Sequence, residues 1–104
     1  MSVDNKTKLQ NIGGKEMIKN GQIVSAFFGC SDDYGWILQI AYEFDGFGGV
    51  HTIPLSQTDK IIELFKVVGV KDFTELKGKY IRVECDALKQ YGIGHIVENK
   101  WIRW

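Results

Sequence analysis

The segment Tyr42-Glu43-Phe44-Asp45-Gly46-Phe47-Gly48-Gly49-Val50-His51 decides the fold, because it joins two apolar runs of the chain. Three of the 12 glycines lie in it, and they flank a large apolar ring, Phe47. Glycine costs backbone entropy inside a helix or strand, so clustered glycines mark positive φ, a bulge or a close approach of backbones. The segment is therefore either a turn or a binding loop, and its residues alone leave both open.

Strands are predicted on both sides of this segment. β-branched and aromatic residues dominate 22–30, and every second side chain from 36 to 44 is apolar. The Asp and Gly residues of 31–35 suit a turn between these two strands, which can then pair as a hairpin. A third strand is predicted for 50–55, where Pro54 fits a strand end because proline cannot donate to a ladder.

One amphipathic helix is predicted after the third strand. Ser56 is a good N-cap, and Asp59 three residues later resembles the partner in a capping box. Apolar residues then recur at helical spacing: Ile61, Leu64, Phe65 and Val68. Gly69 is placed to end the helix in the left-handed conformation, and 72–78 predicts a single short helical turn.

The last third of the chain predicts a hairpin from 79–85 and 91–98, with 101–104 as a short extra strand or a docked tail. Strands and helices do not alternate, which argues against a doubly wound parallel sheet. We therefore expect an α+β fold: a twisted antiparallel sheet of about five strands, in the order β-β-β-α-β-β, with the helix packed on it. Residues 1–20 are polar and predict a flexible or loosely packed segment ahead of a single domain, 21–104.

Composition excludes several classes of function. The chain has 104 residues, 44% of them hydrophobic, and no apolar run approaches the roughly 20 residues that span a bilayer. Its polar N-terminus lacks a signal-peptide pattern, so we expect a cytoplasmic protein. The formal net charge is zero, with 13 basic and 13 acidic residues. This balance argues against direct nucleic-acid binding and against imitation of DNA.

The residues that usually carry chemistry are few. Cys30 and Cys85 lie too far apart for a CxxC motif or a zinc ligand pair, and we expect both to be buried thiols. His51 and His95 are the two histidines, and no HxH or HxxxH spacing supports a metal site. No nucleophile elbow or cysteine–histidine motif occurs. We therefore expect a protein that is not an enzyme and holds no metal or cofactor.

The candidate binding residues are Phe47, Gly48, Gly49, His51, Arg82, His95 and Trp101. Phosphate-binding loops normally run into a helix N-terminus, whereas the glycine segment here lies between two predicted strands. It is either a tight hairpin with bulges or a contact loop with Phe47 at its tip. Trp101 and Trp104 either anchor a partner or cover the open edge of the core. Arg82 either forms a cross-strand ion pair or contacts an anionic ligand or partner.

Six short motifs between residues 22 and 103 form a joint pattern. They are Gly46-Phe47-Gly48-Gly49, Val67-Val68-Gly69-Val70, Phe73-Thr74-Glu75-Leu76-Lys77-Gly78-Lys79, Ile81-Arg82-Val83-Glu84, Ile93-Gly94-His95-Ile96 and Trp101. The set resembles a family of small proteins encoded by bacteriophages, prophages and related bacterial loci. Residues 42–45 depart from that pattern, because related chains are richer in Gly and Ser there. The resemblance implies a phage context, and with it a bacterial host cell, but no particular chemistry.

Two functions of different classes follow. The first is a non-enzymatic phage or prophage accessory protein that binds a host protein, such as a defence complex that it inhibits in an anti-CRISPR-like way. The second is a small-molecule binder that sequesters a nucleotide-like signal, with Arg82 and His95 as phosphate or base contacts near His51. A hydrolase is a third. An exposed edge strand and the Trp-rich tail are consistent with a homodimer.

Overall fold

The computed structural model describes residues 17–87 and 89–104, which form six strands and one α-helix. The strands are β1 Met17–Ser31, β2 Gly35–Phe44, β3 Phe47–Pro54, β4 Tyr80–Cys85, β5 Gln90–His95 and β6 Trp101–Arg103. The helix, α1, spans Thr58–Val68, and short 3₁₀ turns at Leu55–Gln57 and Phe73–Glu75 flank it. All strands belong to one antiparallel sheet with the order β3-β2-β1-β4-β5-β6.

The expected α+β class with an antiparallel sheet and one helix is confirmed. The described part of the chain has six strands rather than about five, because Trp101–Arg103 pairs with β5 as the extra strand. The expected loose N-terminal segment needs a correction at its end. Residues 1–16 lie outside the described residues, but residues 17–20 already belong to β1, where they pair with β4.

The glycine segment forms a tight hairpin, which is one of the two alternatives that its residues leave open. Phe44 pairs directly with Phe47, so the turn consists of Asp45 and Gly46 alone, with φ of 53° and 82°. Two consecutive positive φ angles are typical of the type I′ turn, for which Asp-Gly is a favoured sequence. The register between β2 and β3 runs without a shift, so the expected bulges are absent from this pair.

The hydrophobic core lies between one face of the sheet and α1. Its fully buried side chains include Ile23, Leu38, Ile40, Tyr42, Leu64, Ile81, Val83, Ile93 and Ile102. Gly69 ends α1 with φ of 88° and its N–H donates to the Phe65 carbonyl, which confirms the predicted C-cap. The predicted N-cap is wrong: Ser56 lies in a 3₁₀ turn, and the helix begins at Thr58 without a side-chain cap at Gln57.

The sheet curls until its two edges meet. His51 lies in β3 and Trp104 directly follows β6, and these strands are the two ends of the strand order. Their rings stack with 3.6 Å between centroids and 14° between planes. The helix packs against β3, β5 and β6 near this closure. No helix in the described ranges is long and apolar enough to span a membrane.

Candidate functional site

The seven candidate residues lie at three separate places rather than in one cleft. Phe47 and Gly48 begin β3 beside the tight turn, whereas Gly49 and His51 lie further along that strand. The other three lie on β4, β5 and β6: Arg82, His95 and Trp101. Each place therefore has to be judged by its own contacts.

Phe47 is the candidate that faces solvent. Its side chain is 67% exposed, and its ring lies 6.3 Å from that of the buried Phe44. Phe47 lines two clefts, of about 460 and 230 Å³. The larger one, here called the outer cleft, is lined by Asn20, Gly21, Gln22, Glu43, Phe44, Asp45, Gly46, Phe47, Gly48 and Tyr80. A two-residue turn is thus followed by a large apolar ring that borders two clefts.

The outer cleft has an acidic rim. Glu43 and Asp45 line it, and its lining contains no lysine or arginine. Lys19, in the smaller cleft, pairs with Asp45 at 3.1 Å between Nζ and Oδ2. Carboxylates disfavour an anion through like-charge repulsion. The outer cleft is therefore poorly suited to a phosphate group and better suited to a neutral or basic surface.

Gly48 and Gly49 serve different purposes although they are neighbours. A Cβ atom on Gly49 would lie 2.7 Å from the ring of Tyr42, which is 1% exposed. A Cβ atom on Gly48 would meet only the Tyr42 carbonyl oxygen, at 3.9 Å. Burial also raises the pKa of Tyr42 to about 12, so its hydroxyl stays protonated. Gly49 therefore makes room for a core ring, whereas Gly48 only borders the clefts beside Phe47.

His51 closes the curled sheet through its stack with Trp104. Burial lowers the pKa of His51, so the imidazole is neutral at neutral pH. A cleft of about 360 Å³ adjoins this stack, and Lys60 and Arg103 are among its lining residues. Trp104 also packs against the hydrophobic core. Of the two readings for this tryptophan, covering the edge of the core is the one that the contacts favour.

Arg82 stabilises the turn between β5 and β6. Its Nε donates to the His95 carbonyl and its Nη2 to the Glu98 carbonyl, both at 2.7 Å. Its guanidinium also lies 4.9 Å from the centre of the Trp101 ring. The expected cross-strand ion pair is made by another arginine, since Arg103 donates to Glu84 at 2.7 Å. The side chain of Arg82 thus already donates hydrogen bonds to two backbone carbonyl groups of the same chain.

His95 and Trp101 complete this cluster. The Nδ1 atom of His95 accepts hydrogen bonds from the backbone N–H groups of Val97 at 3.1 Å and Glu98 at 2.9 Å. The Trp101 ring lies over Gly94, where a Cβ atom would come within 2.6 Å of it. The Gly-His and Trp elements of the family-like pattern therefore form a packed turn, and neither ring is presented to a partner as Phe47 is.

A group of exposed aromatic residues was not singled out in the sequence. Phe27, Phe28, Tyr34 and Trp36 are 48%, 49%, 69% and 57% exposed, and all lie near the tip of the β1–β2 hairpin. The Phe28 and Trp36 rings lie 6.4 Å apart. A signal was present, because the consecutive pair Phe27-Phe28 must point to opposite faces of a strand, of which only one faces the core.

The cysteines and histidines give no metal site or redox pair. Cys30 is exposed and Cys85 is buried, so the expectation of two buried thiols is wrong for Cys30. Within residues 17–87 and 89–104, no group of three or more His, Cys, Asp or Glu residues could hold a metal ion. Comparisons with protein-family models, curated proteins and solved structures found no match. Function therefore has to be argued from the geometry of this chain.

Proposed function

We propose that this chain is a non-enzymatic phage accessory protein that binds a host protein, with Phe47 as the residue that enters the partner's surface. The observation that carries the proposal is the 67% exposure of Phe47, which directly follows a two-residue turn and lines two clefts. Aromatic side chains dominate binding energy at protein interfaces when they fill a pocket of the partner.

The turn itself favours binding. Asp45 and Gly46 hold the two positive φ angles of a type I′ turn, so the backbone that carries Phe47 is already ordered. An ordered loop loses little conformational entropy on association. Tyr80, 63% exposed, borders the outer cleft and adds a second aromatic ring, which carries a hydroxyl group, to the same end of the sheet. This end therefore offers an apolar projection with a polar surround, the usual anatomy of an interface.

The electrostatics indicate what kind of partner surface fits. Glu43 and Asp45 flank the projection, so a matching surface has an apolar pocket with a basic or neutral rim. Many host defence complexes handle nucleic acids and carry basic surfaces for that purpose. Together with the resemblance to phage-encoded proteins, this supports a defence complex as the partner and anti-CRISPR-like inhibition as the activity.

The contacts favour this function over sequestration of a nucleotide. The guanidinium of Arg82 already donates to two carbonyls, and Nδ1 of His95 already accepts two backbone N–H groups. A phosphate would therefore meet only the N–H groups of Arg82 that these bonds leave over, and Nδ1 of His95 is already engaged. Trp101, proposed in the sequence as a second contact, lies over Gly94 within the sheet. Phe47 therefore carries the proposal alone.

A plaque assay tests the activity. The chain is expressed in host strains that each carry one active defence system, CRISPR first, and these strains are challenged with a sensitive phage. We expect the wild type to restore plaques in one strain and Phe47→Ala to lose that effect. Tyr34→Ala is the matched control, because Tyr34 is 69% exposed at the opposite end of β2 and should leave protection intact.

A binding measurement with the purified defence complex separates loss of contact from loss of fold. We expect Phe47→Ala to weaken binding about 30-fold, the equivalent of about 2 kcal/mol, with an unchanged circular dichroism spectrum. Tyr34→Ala should bind like the wild type. If folded Phe47→Ala protein binds and protects as well as the wild type, the proposed contact is wrong. A thermal shift with a nucleotide panel, absent from Arg82→Ala, would support the second function instead.

A further inference from the structure

Half of β1 has a neighbouring strand on only one side. Residues 17–22 of β1 pair with β4, and the backbone of Ile23 still bonds to Gly78 and Lys79. Beyond a register shift between Ile23 and Ser25, the strand continues to Ser31 paired with β2 alone. In the part of the chain that the structure describes, no strand pairs with the other edge of residues 25–31. Seven residues of strand, roughly 23 Å, thus have no second strand beside them on this edge, although the 3₁₀ turn Phe73–Glu75 also contacts β1.

This edge lacks the usual protection. Exposed edge strands normally carry charges, prolines or inward-pointing lysines that prevent another chain from pairing with them. The sequence of the edge is Ser25-Ala26-Phe27-Phe28-Gly29-Cys30-Ser31, without a charge or a proline. Phe27 and Phe28 leave about half of their surface in water on its two faces. An uncharged, aromatic, regular edge of this kind is suited to pairing with another strand.

The edge is complementary to itself. If two copies of it run antiparallel about a two-fold axis at Phe28, each large residue meets a small one or its own kind. The opposing pairs are Ser25 with Ser31, Ala26 with Cys30, Phe27 with Gly29, and Phe28 with Phe28. Gly29 has no side chain to oppose Phe27, and Phe28 meets an aromatic partner at the axis. A closed two-fold dimer requires such a self-complementary patch.

We propose that a second copy of this chain pairs with residues 25–31 of β1 and joins the two sheets into one. The interface would cover Phe27 and Phe28, and it would bring the half-exposed Trp36 of each copy beside it. An aromatic ring that is half exposed buries about 100 Å² when it becomes covered. With the area of the paired backbones added, the interface lies near the lower limit of about 1,200 Å² for stable association. We expect a dissociation constant of about 10 µM.

This dimer does not depend on the proposed function. Phe47 lies next to Phe44 at one end of β2, whereas the open edge lies towards Gly35 at the other end. The two Phe47 side chains would therefore lie at the outer ends of the dimer, free to bind. A dimer would make a weak contact with a repeated or clustered partner bivalent.

Charge swapping at the two-fold axis tests the register. Wild-type protein should sediment with twice the mass of one chain well above the expected dissociation constant and as a monomer well below it. Phe28→Lys and Phe28→Glu should each be monomeric, because the axis places like charges opposite each other. Mixed in equal amounts, the two variants should form a heterodimer detected by native mass spectrometry. Val50→Lys is the control, since Val50 is 60% exposed on β3 and the dimer should survive there.

Two results would overturn the proposed dimer. A wild type that stays monomeric at high concentration overturns it, and so does a mixture of folded charge variants that forms no heterodimer. Should the Phe28 variants fail to fold, hydrogen exchange of the wild type decides. Amides in residues 25–31 should be protected more strongly at high than at low protein concentration. Protection that is equal at every concentration would mean that another part of the same chain covers the edge, and the dimer would be refuted.

Discussion

Replacing Gly49 by alanine should destabilise the fold, whereas the same change at Gly48 should not. A Cβ atom on Gly49 would lie 2.7 Å from the Tyr42 ring, and that ring is 1% exposed and stacks on Phe44 with 6.1 Å between centroids. Because the ring is buried, it can give way only by displacing its neighbours in the core. At Gly48 the nearest atom to an added Cβ lies at 3.9 Å, which is ordinary contact. Neither glycine has a positive φ, so backbone strain does not confuse the comparison.

The magnitudes follow from opposing contributions. Overpacking of a core typically costs about 1–3 kcal/mol, while alanine in place of a strand glycine gains about 0.5–1 kcal/mol. Gly49→Ala should therefore lower the free energy of unfolding by roughly 1–2 kcal/mol, which is a fall of roughly 5–15 °C in Tm for a domain of this size. Gly48→Ala should raise the free energy of unfolding by roughly 0.5 kcal/mol.

Urea denaturation followed by circular dichroism measures both changes, and a double-mutant cycle assigns the cause. In a Tyr42→Leu background the ring is absent, so Gly49→Ala should no longer destabilise, and the coupling energy should be about 1–3 kcal/mol. Two results would refute the reasoning. One is equal stability of the Gly48 and Gly49 variants, and the other is the same cost for Gly49→Ala with and without the Tyr42 ring.

Two further predictions concern titration and thiol reactivity. Burial lowers the pKa of folded His51 below its unfolded value of about 6.5, and Lys60 and Arg103 line the same cleft. The neutral His51 therefore contributes fully to stability above the unfolded pKa, and this contribution is lost as the pH falls through the folded pKa. Between pH 7 and 5, Tm should therefore fall by less in His51→Gln than in wild type. The Cys30 thiol is exposed, whereas the Cys85 thiol is buried, and burial raises the pKa of Cys85. Ellman's reagent should therefore titrate one thiol in dilute native protein and both thiols in urea. Two reactive thiols in the native protein would contradict this burial pattern.

The sequence predicts those parts of the fold that depend on local patterns. Alternation of apolar residues located β2 and β4 to within a residue or so, because a sheet with one buried face imposes a period of two. Gly69 marks the end of α1, because the left-handed conformation favours glycine strongly. Asp72 caps the short turn before β4 by accepting from the Thr74 N–H, as its sequence position suggests.

The predictions that failed concern features that depend on residues far away in the sequence. Met17 starts β1 because β4, more than 60 residues later, offers it a pairing edge, and no local signal records that edge. Ser56 has the right residue type for an N-cap, but Pro54 and a 3₁₀ turn delay the helix to Thr58. The stack of His51 on Trp104 depends on how far the sheet curls, which is set by the whole core. The candidate residues could therefore be named from sequence, but their separation into three places could not be foreseen.

The contacts also divide the family-like pattern into residues that stabilise the fold and one residue, Phe47, whose ring is mostly exposed. Gly49 accommodates the Tyr42 ring, while Arg82 and His95 bond to the backbone between β5 and β6. These residues are accounted for by their contacts within the chain and carry no information about a partner. Phe47 differs, since 67% of it stays exposed while its ring lies 6.3 Å from that of the buried Phe44. Among the candidate residues, Phe47 is therefore the one whose replacement can separate the proposed contact with a partner from the stability of the fold.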